Sequence, residues 1–112
     1  METCIFCKIV RKEIPVKIIF EDDLLLAFPD AHPQAKIHVL LIPKQHLGSL
    51  LEIDQNEVLA SRLLFAANQI AKDLHLDQNG YRLVTNIGDE AGQSVKHLHF
   101  HLLGGETLGP IV

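Results

Sequence analysis

Seven residues near the end of the chain, His97-Leu98-His99-Phe100-His101-Leu102-Leu103, alternate imidazole with apolar side chains. A β-strand points successive side chains to opposite faces. As a strand, the stretch would line one face with His97, His99 and His101, about 7 Å apart at each step, and the other with Leu98, Phe100 and Leu102. One histidine in an apolar strand is readily satisfied by hydrogen bonds. Three on one face are costly. An apolar residue buried at each position would contribute about 1.5–3 kcal/mol, and an unpaired buried polar group costs about 1–3 kcal/mol. Over three positions the difference rivals the roughly 5–15 kcal/mol that stabilises a whole domain. Such a row is kept for chemistry, since imidazole serves as neutral nucleophile, proton carrier or metal ligand.

Further groups converge on the row. Gly92-Gln93-Ser94 stands immediately before it; glycine lets backbone approach a phosphate closely, and Gln93 and Ser94 add an amide and a hydroxyl. Asp30 lies just past an apolar run ending at Phe28. A carboxylate there could grip a vicinal diol such as a ribose 2′,3′ pair, although a solvated turn aspartate reads the same way. His38 and Asn86 each interrupt an apolar strand, which suggests strands flanking the histidine row; a core histidine and a strand-end cap are the plainer alternatives. Cys4 and Cys7 form a C-x-x-C pair, suited to metal or redox chemistry in a reducing compartment.

The elements that must carry these residues follow from periodicity and punctuation. Ile5, Phe6, Ile9 and Val10 fall at helical spacing, which predicts a short helix over Cys4 to Arg11, ended by Ile14-Pro15. Lys17–Glu21 and Leu24–Phe28 read as a hairpin about Asp22-Asp23, and Lys36–Ile42 as a third strand closed by Pro43. Asp54 with Glu57 predicts a capping box. Behind it Val58, Leu59, Leu63, Ala66, Ala67, Ile70, Ala71 and Leu74 form a helical stripe about four turns long. Asn79-Gly80 is a stop or turn signal, Tyr81–Ile87 a fourth strand, and the histidine row the fifth. Short antiparallel strands with one long helix on a face of the sheet make an α+β class, a single domain over 1–112.

Composition bounds the function. The 112 residues are 47% hydrophobic with a net charge of −4, enough for one core and contrary to a nucleic-acid-binding surface. The apolar run Ile37–Ile42 is interrupted by His38 and is far too short to span a bilayer. With no secretory signal visible, the expected location is the cytoplasm, with both cysteines reduced.

The row His97-Leu98-His99-Phe100-His101-Leu102-Leu103 resembles the histidine-triad (HIT) signature, His-φ-His-φ-His-φ-φ. The resemblance extends through Ile5-Phe6-Cys7-Lys8-Ile9-Val10, Glu13-Ile14-Pro15, Phe20-Glu21-Asp22-Asp23, Pro33-Gln34-Ala35, Ile42-Pro43-Lys44, Gly80-Tyr81-Arg82 and Gly92-Gln93-Ser94. With the exit Leu103-Gly104-Gly105 it is similar to the Hint branch of nucleoside phosphoramidases. The resemblance implies a five-stranded antiparallel sheet with one long and one short helix, pairing with a second copy into a ten-stranded sheet. It implies hydrolysis of the P–N bond of purine nucleoside 5′-phosphoramidates, adenosine preferred, with His99 as nucleophile and a covalent nucleotidyl-histidine intermediate. Its Nδ1 would donate to the carbonyl of His97. Ser94 would lie near the leaving group, and Gln93 and His101 would hold phosphate oxygens. Asn86 would face the ribose-phosphate and Asp30 the ribose hydroxyls, with Ala31 at a wall position of the nucleoside pocket. His38 would support the cluster, with Gly92 in the phosphate loop and Phe6, Ile9, Phe28 and Leu40 lining a base cleft. No cofactor is needed for that chemistry. Some members hold a structural zinc, whose ligands carried over here would be Cys4, Cys7, His46 and His97.

This chain departs from the pattern at Ala31, usually a larger apolar residue, at Lys36, usually proline, at Lys96, usually aromatic, and at Glu106, usually arginine. Three other readings share the same residues. They are a zinc-dependent hydrolase with the imidazole row as ligands, a dinucleoside polyphosphate hydrolase, and a non-enzymatic nucleotide-binding module.

Overall fold

The computed structural model describes residues 2–111. Helix α1 (Ile5–Val10) is followed by strands β1 (Phe20–Glu21), β2 (Leu25–Pro29) and β3 (Ile37–Pro43). Helix α2 (Glu57–Asp73) then precedes β4 (Tyr81–Val84) and β5 (Phe100–Gly104). The strands form one antiparallel sheet in the order β1-β2-β3-β5-β4. The five strands and two helices are those expected from the sequence.

Strand alternation divides the interior into two layers. Leu25 and Ala27 of β2, Val39 and Leu41 of β3, and Leu98 and Leu102 face α2, meeting Leu59, Leu63, Ala66, Ala67, Ile70 and Ala71. Leu26, Phe28, Leu40 and Ile42 face the other way and meet Phe6 and Ile9 of α1. Each fully buried leucine or isoleucine contributes about 1.5–3 kcal/mol. The α2 layer therefore dominates stability, and the α1 layer carries the histidine face.

Several boundaries differ from the sequence reading. α2 is capped by Asn56, whose side chain accepts from the Leu59 amide at 3.0 Å, and not by Asp54, which turns the chain at φ 53°. Val58 is 65% exposed, so it lies off the core stripe. β1 keeps only the last two of its five expected residues, β4 the first four of seven. The histidine row enters its strand late, because β3 pairs with β5 only as far as Leu41 opposite Phe100. Two residues on, Pro43 has no N–H to continue the ladder, and the Leu98 amide donates instead to the Leu47 carbonyl at 2.6 Å.

Candidate active site

His97, at a bend, and His99 therefore stand just before β5, and His101 within it. The alternation holds across that boundary. Leu98 and Leu102 are buried towards α2, and His97 and His99 are buried towards α1. Where the ladder stops, side chains hold the run in place: the Thr85 hydroxyl donates to the His99 carbonyl at 2.7 Å. The Phe6 ring of α1 stands edge-on to His97 and His99, with centroids 5.8 and 5.2 Å away, and to Phe28 at 5.7 Å.

Each triad imidazole has its tautomer set by a group that can play only one part. A carbonyl only accepts, so His97 donates Nε2–H to Pro43 O at 2.9 Å and turns an Nδ1 lone pair towards Cys4 Sγ at 3.4 Å and Cys7 Sγ at 3.6 Å. By the same rule His99 donates Nδ1–H to His97 O at 2.7 Å, which leaves its Nε2 as the basic, nucleophilic nitrogen. His101 is set through a relay. The Gln34 amide donates to His38 Nδ1 at 3.0 Å, so His38 carries its proton on Nε2 and donates it to His101 Nδ1 at 2.9 Å. His101 is left with Nε2–H, a neutral donor. Burial lowers the pKa of His38, partly opposed by the Asp30 carboxylate, whose Oδ2 lies 3.4 Å from His38 Nε2. Burial, with His99 and His38 nearby, holds His101 down to about 4. Three histidines from one repeat thus end in three states: a lone pair facing two thiols, an uncommitted basic nitrogen and a hydrogen-bond donor.

Cys4, Cys7, His46 and His97 each offer one ligand atom, all within 4.8 Å of one another; His46 Nδ1 is 3.2 Å from Cys7 Sγ. Zinc bonds of about 2.3 Å to sulfur and about 2.0 Å to nitrogen place tetrahedral S and N ligands about 3.5 Å apart. The three S···N distances bracket that value. Burial, then the adjacent Cys4 thiol, push the Cys7 thiol up, a penalty that a cation would remove. The four groups fit a tetrahedral zinc. Asp30, His38 and His101 also converge within 4.8 Å, but there the His38 proton lies between the two imidazoles. His38 and His101 are hydrogen-bonded there, with the Asp30 carboxylate beside them.

A HIT domain model matches residues 11–108 of the sequence. The chain belongs to the HIT family. It is 41% identical over 112 residues to the purine nucleoside phosphoramidase of Escherichia coli, covering 99% of this chain and 94% of that protein. It is 50% identical over 108 residues to a HIT-like protein of Synechococcus elongatus, covering 96% and 94%. Among solved structures, a histidine triad protein from Clostridium difficile superposes with TM-score 0.94 at 44% identity, over 98% of this chain and 96% of that one. A HIT family hydrolase from Clostridium thermocellum superposes with TM-score 0.93 at 46% identity, over 98% and 96%.

Within this HIT domain some expected residues stand elsewhere than the sequence implied. Gln93 is buried and its carboxamide is fully engaged. Nε2 donates to Gly48 O at 2.6 Å and Val95 O at 3.0 Å, and Oε1 accepts from the Gly88 amide at 2.9 Å. No side-chain N–H of Gln93 remains for a phosphate oxygen; it braces the loop instead. Ser94 and Gly92 are exposed in that loop, and Asn86 fastens it by donating to Ala91 O at 2.9 Å. Asp30 Oδ1 accepts from the His32 amide at 2.8 Å, so Ala31 sits at the tip of an Asx turn beside His38. Phe6, Ile9, Phe28 and Leu40, expected to line a base cleft, are buried together in one core cluster. Thr85 escaped the sequence reading because a threonine inside an expected strand carries no signal of its own.

Proposed function

We propose that this HIT protein hydrolyses the P–N bond of purine nucleoside 5′-phosphoramidates, adenosine preferred, releasing the nucleoside monophosphate. The reading is supported by the name of the Escherichia coli relative and carried by one observation. His99 alone of the triad keeps an uncommitted basic nitrogen, because its other nitrogen is bound to His97 O.

In the first step His99 Nε2 attacks the α-phosphorus, an Nε2–P bond forms, and the P–N bond breaks. The leaving amine takes up a proton from solvent, with the Ser94 hydroxyl near it. In the second step water attacks phosphorus, the Nε2–P bond breaks, and the water proton passes to solvent or to the freed imidazole. The His101 Nε2–H donates to a phosphoryl oxygen throughout, a preorganised donor aimed at developing charge. The Asp30 carboxylate receives the ribose hydroxyls, and the rims of Phe6, Ile9, Phe28 and Leu40 meet the base. Cys4, Cys7, His46 and His97 would hold a structural Zn²⁺, which ties α1 to the histidine run; no step of the hydrolysis passes through it. No helix among the described residues is long and apolar enough to cross a membrane, and the reduced thiols suit the cytoplasm. Two copies pair through α2, where Val58, Leu64 and Phe65 are 65%, 58% and 73% exposed, an apolar surface of the kind that partners cover.

The deciding experiment is single-turnover mixing with an adenosine phosphoramidate, rapid quench, digestion and mass spectrometry. An adenylyl group on the His99 peptide is expected. Turnover with no adduct, or an adduct on another residue, overturns the assignment.

A further inference from the structure

Lys36 and Glu106 lie 70 residues apart in sequence, yet the Lys36 backbone amide donates to Glu106 Oε2 at 2.7 Å. They are two of the four departures from the family pattern named above, and they meet. Proline has no amide hydrogen, so a proline at 36 would have nothing to give a carboxylate. Lysine at 36 exposes an N–H, and glutamate at 106 takes it as a charge-assisted bond.

The place of this contact gives it a consequence. Ile37 pairs with Gly104 at the start of β3, and Gly105, at φ 84°, passes so close that a Cβ there would lie 3.0 Å from Ile37 Cγ1 and 3.3 Å from Lys36 Cβ. Glu106 thus closes over the end of the loop that runs from Asp30 to Lys36. Inside that loop the Gln34 amide, two residues before Lys36, donates to His38 Nδ1, and His38 Nε2–H in turn fixes His101. The remaining ties of the loop are short-range: Asp30 N to His38 O, His32 N to Asp30 Oδ1, and Gln34 Nε2 to His32 O. Glu106 is its long-range anchor.

We propose that Glu106 is a positioning residue: its clasp on the Lys36 amide holds the Gln34 N–H against His38 and so fixes the tautomers of His38 and His101. This rests on the function proposed above for the role of His101, but the tautomer itself can be read without substrate.

The test compares wild type with Glu106→Ala, Glu106→Gln and Lys36→Pro, each labelled with ¹⁵N-histidine. Long-range ¹H–¹⁵N spectra report which ring nitrogen of His38 and His101 bears the proton; kcat and KM are measured on an adenosine phosphoramidate. In wild type His38 should be the pure Nε2–H form. Glu106→Ala and Lys36→Pro should draw its two ¹⁵N shifts together and lower kcat/KM about three- to ten-fold, the range of one lost hydrogen bond. Glu106→Gln, which keeps an acceptor, should stay near wild type in both. Unchanged His38 shifts in Glu106→Ala overturn the clasp, whatever the kinetics. Wild type that does not cleave the phosphoramidate overturns the proposed function, while the spectra still decide the clasp. Should Lys36→Pro misfold, the alanine–glutamine pair at 106 decides alone.

Discussion

The imidazole of His99 donates its Nδ1–H to the carbonyl oxygen of His97, its neighbour but one, at 2.7 Å. The same His97 turns its ring towards two thiols and its Nε2–H towards Pro43 O. One residue therefore links the cysteine cluster to the proposed nucleophile through its backbone. What holds the His97 ring also holds the acceptor that sets the reactive tautomer of His99.

Replacing His99 by alanine removes the proposed nucleophile and leaves the other donors standing. Turnover of an adenosine phosphoramidate should fall to the uncatalysed level, while AMP affinity measured by calorimetry changes by less than about ten-fold, or about 1.4 kcal/mol. Residual turnover within an order of magnitude of wild type would remove His99 as nucleophile.

Gln93→Ala should act on stability before it acts on substrate. The side chain satisfies two carbonyls and one amide, each worth about 1 kcal/mol net, so denaturant unfolding should show a loss of about 3 kcal/mol. A variant of unchanged stability with a raised KM would restore the phosphate-binding role expected from the sequence.

The depressed pKa values of His38 and His101 give stability a definite pH dependence. Above the ordinary histidine value of 6.5 both rings are neutral in folded and unfolded chains, and their contribution is complete. Below it the unfolded chain binds protons that folded His101 refuses until about pH 4, so stability falls across that window. The melting temperature should drop from pH 6.5 to about 4, and more shallowly in His101→Gln. Parallel curves for the two proteins would assign the slope to other groups.

Zinc added to metal-stripped, reduced protein should raise the melting temperature and bind one ion per chain. Cobalt in its place should give the intense visible bands of a tetrahedral thiolate site. Both effects should vanish in Cys4→Ala/Cys7→Ala, while phosphoramidate turnover persists in a chelator. Turnover that disappears with the metal and returns on reloading would favour the zinc-dependent reading of the histidine row.

Much of the fold and part of the site follow from local periodicity. Alternation from His97 to Leu103 put the imidazoles opposite Leu98 and Leu102 without any partner strand, because a strand's two faces are a property of its own backbone. The stripe of α2 and the hairpin before β3 are legible for the same reason, and so are the types of residue gathered at the site. Hydrogen-bond partners are another matter, since they come from elsewhere in the chain. The tautomer of His101 depends on the Gln34 amide; the work of Gln93 depends on Gly48; the cap of α2 is Asn56 and not Asp54 because of the turn the backbone takes before it. Nor does sequence spacing show that Lys36 and Glu106 touch. Sequence determined which side chains share a face. Only the tertiary structure decided which nitrogen of each imidazole is free, because a proton's position on a ring is set by the single group across from it.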